Sequence, residues 1–510
     1  MFSEIRAQAW LYIAFAFVLT LVPNAAGAAC HVVTSSGSGA KTGADWNNAM
    51  ANLPSTLVRG DTYFLADGNG YKLQGVAAES GATITYVKKA VPTAVTNSAA
   101  TAHCTDTGWS DSSMGAGQAV FSGSPAVNLT NAAYFTLDGQ TRTSLNSGHG
   151  IKLDSSSCSN MSCYAVVLGF NASAKAHNIV IQYVEFNQSN QNGSTNFAQD
   201  YGVYAYNNDG GAPNNAALHD ITLQYNYHHN SACDFLFTRG VTNFTTQYSY
   251  FYLNNGGGGC HGQNWEDNNS TNITARYNVF NESRGTAVVV VLCDICSGNN
   301  IVTNGFYVYG NVFYDIPGGA GWTSNGAVAC LGPSIACTNM AVYNNTFANL
   351  QNNGAGAGSN TTGVSVNGAS ASPVCKNNVF YNMSSNMNIT MNCSGGEDYN
   401  SAIFSGDQSG VLTGSHDIID TANVNHFVAA LLALPVISNF HLTSETLSDL
   451  EGGVALSAPF NQSCDATLTC SKLISRGGDG SWERGAFEFD NGAVGQLPAA
   501  PQNLRVISVQ

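Results

Sequence analysis

Hydrophobic and polar positions alternate in short runs along most of this chain, and one run recurs. Segments 178–186, 220–228, 243–251, 272–280, 305–313 and 339–347 each read as an alternating strand, a turn and a large closing residue. The closing residues are Phe186, His228, Phe251, Phe280, Phe313 and Phe347, with a degenerate copy ending at Phe380. Alternation sends successive side chains to opposite faces. It predicts that Ile179/Ile181, Ile221/Leu223, Phe244/Thr246, Ile273/Ala275, Phe306/Val308 and Met340/Val342 point inward. The residue after each pair points outward, giving a ladder of Gln182, Gln224, Gln247, Arg276, Tyr309, Tyr343 and Lys376. Two positions further stand Asn226, Ser249, Asn278, Asn311, Asn345 and Asn378. At a tight corner an inward Asn amide satisfies buried backbone groups, stacks on its equivalent one coil away and tolerates the left-handed conformation. A second strand family follows each turn, at 202–206, 234–237, 285–292, 326–331 and 363–366. The repeat is roughly two dozen residues at its shortest, as for one coil of a solenoid, and longer steps suit coils with inserted loops. The pattern predicts an all-β chain wound as a parallel β-helix.

With those segments the chain resembles the secreted bacterial right-handed parallel β-helix proteins of the pectate-lyase-like superfamily. Segment 59–68 resembles their opening strand and 134–140 an early coil. Segment 45–53 resembles their N-terminal capping helix, with Asp45 as N-cap. Segments 439–444 and 484–489 resemble the irregular C-terminal closing coils. The resemblance implies a division into a signal peptide (1–28), an N-terminal cap with first strands (29–120), β-helix coils (121–405), closing coils (406–490) and a linker-like tail (491–510). The tail, with Pro498 and Pro501, resembles a linker running toward a fibronectin-type module.

The first residues read as a targeting signal. Arg6 precedes the apolar run Trp10 to Val22, and Ala26-Gly27-Ala28 fits the small-x-small cleavage rule. A lone membrane-spanning helix is the alternative reading. A lipoprotein signal ending at Cys30 is the other, although Gly27 stands where that signal wants a large aliphatic residue. The chain has 14 cysteines, an even number that fits an oxidising compartment. Close spacings suggest Cys158/Cys163, Cys293/Cys296, Cys330/Cys337, Cys375/Cys393 and Cys464/Cys470, with Cys233/Cys260 and Cys30/Cys104 completing seven bridges. Zinc at Cys293 and Cys296 would need a second Cys or His pair nearby, and the sequence has none.

The formal net charge is −15 and only 10% of the residues are charged. Phosphate neutralisation needs clustered Lys and Arg, so a nucleic-acid partner is excluded. A hydrophobic content of 44% excludes disorder. These features describe a monomeric exported protein, secreted, periplasmic or on the cell surface, free of the membrane once the signal is cleaved.

The scarce charges crowd into residues 228–284: His228, His229, Asp234, Arg239, His261, Glu266, Asp267, Arg276, Glu282 and Arg284. His261 follows a four-glycine loop. The resemblance implies work on an outward sheet face flanked by long loops, with a polysaccharide as partner. A lyase needs a base and a cation that neutralises a uronate carboxylate; a hydrolase needs two or three carboxylates about the scissile bond. On the lyase reading His261 or Tyr309 is the base and Arg276 or Arg239 the carboxylate clamp. Trp265, Gln247, Tyr343 and Lys376 contact the sugar, and Glu266 and Asp267 hold Ca²⁺ or orient the histidine. Plainer readings stand beside these. Arg239 and Glu266 form an ion pair between coils, Arg276 is a surface residue, His228 fills a core position where other copies have Phe, and His229 lies on a solvated loop. Gly148-His149-Gly150 resembles a polygalacturonase motif, but those enzymes also carry an Asp-Asp pair and this chain has none.

The first expectation is therefore a lyase acting on a uronate-containing glycan by β-elimination. The alternatives are a glycoside hydrolase on the same fold and a non-catalytic adhesion or glycan-binding protein. A polyanion favours a basic groove, and 17 basic residues allow only a local one.

Overall fold

The computed structural model describes residues 28–489 except 80, 97–98, 159–161, 171–174, 189–199, 210–211, 214–216, 255–261, 286, 293–300, 317–325, 333–334, 351–362, 367–371, 383–390, 392, 404–411, 423, 425, 428–441, 443–447, 466–469 and 471. Among the described residues three all-parallel sheets of 13, 12 and 8 strands run side by side, called here I, II and III. One coil leaves His177–Gln182 in sheet I, enters Val184–Asn187 in sheet II, continues to Asp200–Tyr206 in sheet III and returns to His219–Gln224 beside the first strand. The chain is thus a right-handed parallel β-helix, the hand that right-twisted strands favour in parallel crossovers.

The repeat read from the sequence is the repeat of the fold. Gln182, Gln224, Gln247, Arg276, Tyr309, Tyr343 and Lys376 pair coil to coil in one register. The two residues predicted to point inward in each copy are buried. In sheet II, Phe186, His228, Phe251, Phe280, Phe313, Phe347 and Phe380 stack through the core with ring centroids 4.2 to 5.0 Å apart. That spacing is the distance between neighbouring strands. His228 is therefore a core member, as its place among phenylalanines suggests.

The corner from sheet I to sheet II spans one residue in the left-handed region: Tyr183, Tyr225, Tyr248, Tyr277, Gly310, Asn344, Asn377 and Tyr399 on successive coils. The expectation that the ladder asparagines adopt this conformation is corrected, because the left-handed residue is the one before each of them. Four tyrosines in a row exploit the corner by stacking at 4.9, 4.9 and 5.5 Å. The stack ends at Gly310, where a Cβ would meet the Tyr277 ring at 2.6 Å. The asparagines do what the sequence suggests. Asn311 Oδ1 accepts the Asn278 backbone N–H at 2.9 Å, and its amide donates to the Ala275 carbonyl at 2.9 Å; Asn345 and Asn378 repeat the pattern.

The ends differ from expectation. The N-terminal cap is one 3₁₀ turn, Trp46–Asn48, followed by the short strand Met50–Ala51. Asp45 is its N-cap, accepting the Asn48 N–H at 3.0 Å. The turn stops because Met50 pairs with Val33 in sheet I. Of the expected closing coil at 439–444, only Leu442 is described, bridged to Phe427. Segment 484–489 makes no strand; Arg484 instead anchors it by donating to the Asn400 carbonyl at 2.9 Å. Five expected disulfides are formed: Cys30–Cys104, Cys158–Cys163, Cys330–Cys337, Cys375–Cys393 and Cys464–Cys470. Cys233 is disulfide-bonded, and its expected partner Cys260 lies outside the described residues, as do Cys293, Cys296 and the segments read as signal and tail.

Two substitutions test the core. Asn311→Ala orphans buried backbone groups on two coils, so denaturant unfolding should show a loss of about 3 kcal/mol. His228 is 0% exposed and neither ring nitrogen has a hydrogen-bond partner. Burial first, then His229 and His149, push its pKa far below the usual histidine value. The unfolded chain takes up a proton below about pH 6.5 that the folded chain refuses, so stability falls as pH falls through that value. His228→Phe should remove this contribution, and its gain over the parent in thermal unfolding should widen below pH 6.5.

Candidate functional site

Long connections border both edges of sheet III, and two more, 90–118 and 139–150, join sheet I to sheet II in the early coils. From Gln224 to Val379 the sheet I to sheet II corner is two residues on each coil, whereas the chain spans residues 188–199, 255–264, 317–327 and 351–363 on its way from sheet II to sheet III. Leaving sheet III it spans 207–218 and 292–300. In the coils that carry the stacked corner amides the insertions fall at these borders, because the amides leave no room for extra residues at the sheet I to sheet II turn.

The strands of sheet III fix what that face presents. Val203, Ala205, Leu236 and Thr238 point into the core, so Tyr204, Tyr206, Phe237 and Arg239 stand outward. Tyr204 pairs with Phe237 and Phe237 with Glu266, while Phe170, Tyr206, Arg239 and Asn268 form the neighbouring line. Together with Tyr164 and Tyr201 the rings make a continuous aromatic platform. Tyr204 lies 5.0 Å from Tyr164, 5.1 Å from Tyr201, 5.2 Å from Phe237 and 5.7 Å from Phe170 between centroids. Phe170 is 42% exposed, and Tyr204 and Tyr206 are half-buried. The Arg239 guanidinium sits over the Tyr206 ring at 5.2 Å. Glu266 accepts from Asn268 Nδ2 at 2.8 Å. Asp234 is buried beside it and accepts the Gln263 N–H at 2.7 Å. Burial raises the Tyr201 hydroxyl well above its usual pKa, and the Asp234 and Glu266 charges add to that. The face therefore offers flat apolar rings, one guanidinium and one partly accessible carboxylate.

The expected site residues divide among faces. Arg239 and Glu266 belong to this outer face. His261 lies outside the described residues, in the connection that enters strand Trp265–Asn268. Trp265 is corrected from a sugar-stacking residue to a core residue: it is 0% exposed, and its indole N–H donates to Thr238 Oγ1 at 2.9 Å. Asp267 also points inward, where it accepts from Thr238 Oγ1 at 2.6 Å and Thr303 Oγ1 at 2.7 Å, and burial pushes its pKa up to about 6. Adjacent strand residues face opposite sides, so Glu266 and Asp267 do not converge on one Ca²⁺.

Arg276, Gln247 and Tyr309 do meet, but on sheet I. Arg276 Nε donates to Gln247 Oε1 at 2.6 Å and Nη1 to the Tyr309 hydroxyl at 3.0 Å. Gln247 then donates to Gln224 at 2.7 Å, Gln224 to Gln182 at 2.6 Å, and Gln182 to the buried Asp138 carboxylate. The C-terminal segment covers the upper part of this ladder. Phe460 packs 4.9 Å from both Tyr309 and Tyr343, and Tyr309 is 2% exposed. Assigning Tyr309 as base and Tyr343 as a sugar contact is corrected accordingly, because a folded-back segment of the same chain occupies the space a polymer would need. Lys376 continues the same line, paired with Asp398.

His229 is corrected from a loop to strand Tyr227–Ser231 of sheet II. There Glu185 ties four coils together: Oε1 lies 3.2 Å from Lys152 Nζ and 3.2 Å from His229 Nε2, and Oε2 accepts from Gln118 at 2.9 Å. These donors hold Glu185 down to about 2 against the opposing effect of burial. Glu282 and Arg284 form a surface pair at 3.1 Å. Sequence reasoning missed the aromatic platform, although a signal for it was present. Tyr204, Tyr206, Phe237 and Arg239 alternate with small or aliphatic residues on two consecutive coils.

No family model and no curated protein matches the sequence. Among solved structures, the pectate lyase Pel9A aligns with a TM-score of 0.44 at 13% identity over 91% of this chain and 98% of that one. The GH136 lacto-N-biosidase from Eubacterium ramulus gives 0.42 at 10% identity, over 77% of this chain and 68% of that chain. A PL6 family alginate lyase, AlyGC, gives 0.32 at 12% identity over 71% of this chain and 51% of that chain. The fold assignment rests on the strand pairing of this chain itself.

Because Trp265 fills the core, Trp265→Ala should lower unfolding stability by about 3–5 kcal/mol. Tyr204→Ala, on the outer face, should cost clearly less in the same denaturation experiment.

Proposed function

We propose that the protein binds a polysaccharide across the outer face of sheet III and cleaves it by β-elimination. The observation that carries this reading is the aromatic platform running into Arg239 and Glu266 on the face bordered by long connections. Ligand sites combine apolar and aromatic surface with a few polar groups that fix orientation, and pyranose rings lie flat on exposed tyrosines. Arg239 is the group that pairs with a uronate carboxylate, since a planar guanidinium engages a carboxylate through two hydrogen bonds. Pairing lowers the cost of removing the neighbouring ring proton. The base takes that proton, the electrons form a C=C bond, and the 4-linked sugar leaves. His261, in the bordering connection, is our assignment for the base. An overall charge of −15 fits a glycan with spaced rather than continuous uronates. Cysteine pairing supports work outside the cell, and we take the protein to act there as a monomer.

Hydrolysis is the second reading. It needs a pair of carboxylates, and Asp234 and Glu266 share this outer face.

The test is a turnover screen of acidic and neutral polysaccharides, with and without Ca²⁺, following ultraviolet absorbance of the new C=C bond and reducing ends together. Both should rise on a uronate-containing substrate. Arg239→Ala should lower kcat/KM about 10²-fold, and Tyr204→Ala should act mainly through KM. Reducing ends without absorbance would replace elimination by hydrolysis. Neither turnover nor glycan binding across the panel would overturn the proposal.

A further inference from the structure

The C-terminal closure holds a cluster of carboxylates that the glycan reading does not use. Glu451, Asp479 and Glu483 each bring a carboxylate oxygen within 4.8 Å of the others. Two of these residues belong to one short stretch. The turn Arg476–Ser481 carries Asp479 at its exposed tip, and the chain then passes Trp482 to reach Glu483. Glu451 arrives from a separate segment, which is held alongside by the Gly453 N–H donating to the Trp482 carbonyl at 2.7 Å and the Arg484 N–H donating to the Leu450 carbonyl at 2.7 Å.

Carboxylates gather on many surfaces, so grouping alone would mean little. The independent observation is Glu483. Its side chain is 1% exposed, and no protein donor reaches either carboxylate oxygen; the group it meets is the Glu488 carboxylate, with which it can bond only by sharing a proton. A buried, unsatisfied charged group is costly and calls for a partner. The neighbouring cation does not supply one. Arg476 spends its donors on the carbonyls of Gln462, Glu483, Gly485 and Ala486 and lies 3.6 Å from Glu488. Glu488 adds a further negative charge beside Glu483. By contrast, the other group of ligand-type residues, Asp420, His426 and Asp449, is closed on itself by the His426–Asp449 contact at 2.5 Å.

We propose that Glu451, Asp479 and Glu483 bind a hard divalent cation, Ca²⁺, which locks the C-terminal closure onto the β-helix. The donors are oxygen only, as calcium prefers. Closure matters to the rest of the molecule. Arg484 reaches from this site to the Asn400 carbonyl at 2.9 Å and Ser401 Oγ at 3.1 Å, and the same C-terminal region carries Phe460 over the sheet I tyrosines.

The probe is Tb³⁺ added to the purified full chain, read by luminescence sensitised through Trp482, with thermal unfolding as the second measurement. Expected is saturable luminescence displaced by Ca²⁺ with a dissociation constant of about 10⁻⁴–10⁻³ M, as in extracellular calcium modules. Ca²⁺ should raise Tm. Asp479→Asn, at an exposed turn position, should leave the metal-free Tm unchanged while weakening Tb³⁺ binding at least tenfold. Glu483→Gln should abolish the calcium-dependent part of Tm. Trp482→Phe should remove the luminescence and keep the calcium-dependent Tm. The proposal is overturned if Tb³⁺ luminescence does not saturate and Tm ignores Ca²⁺. It is equally overturned if binding survives unchanged in both carboxylate variants.

Discussion

From Tyr225 onward the coils pass from sheet I to sheet II through one left-handed residue followed by a buried polar side chain, an asparagine on every coil except that of Ser249, and this corner sets the geometry of the coils it joins. The Asn311 amide accepts the Asn278 N–H and donates to the Ala275 carbonyl, both on the preceding coil, while its own backbone N–H donates to Asn345 Oδ1 on the next. Because the polar groups of the corner are satisfied only when the next coil supplies the same residue at the same place, register is transmitted from coil to coil. Inward side chains then fall on their equivalents, which is why a phenylalanine column can run through sheet II at the strand spacing. In the coils with this two-residue corner, insertions fall at the borders of sheet III.

Much of the fold was legible because a repeat prints itself on the sequence. Alternation around Ile179/Ile181 and the recurring Asn gave the inward faces and the stacked amides, and cysteine spacing gave the local disulfides. What was misread follows a single physical rule. An outward register in a solenoid is only potentially solvent, since a later segment can fold back over it. Nothing near Tyr309 announces that Phe460, far away in the chain, will cover it. Trp265 and Asp267 were misread for another reason: the strand of sheet III that holds them was not phased. Once Leu236 and Thr238 are inward, their register partners Trp265 and Asp267 must be inward too. The same phasing would have found Tyr204, Tyr206 and Phe237.

Charge in this chain serves two distinct purposes. In one, charges compensate each other completely between coils, as around Glu185, where Lys152, His229 and Gln118 converge. In the other a charge is left partly uncompensated, as for Glu483 in the closure. With so few ionisable groups available, incomplete compensation is a more useful indicator of a working surface than the density of charge along the sequence, which pointed equally to core, tie and surface.

The outer ladder of sheet I has a direction as well as a register. From Arg276 through Gln247, Gln224 and Gln182 to Asp138, every amide donates toward the N-terminal end and accepts from the C-terminal end. No single glutamine can turn over without setting two acceptors or two donors face to face, so the amides hold one orientation as a group. A cation at one terminus and an anion at the other select that orientation. The line is in effect a polarised wire of dipoles, and a coil slipped by one position would meet it with the wrong end. Order along the solenoid axis is thereby specified by electrical polarity, a distinction that a column of identical apolar rings cannot make.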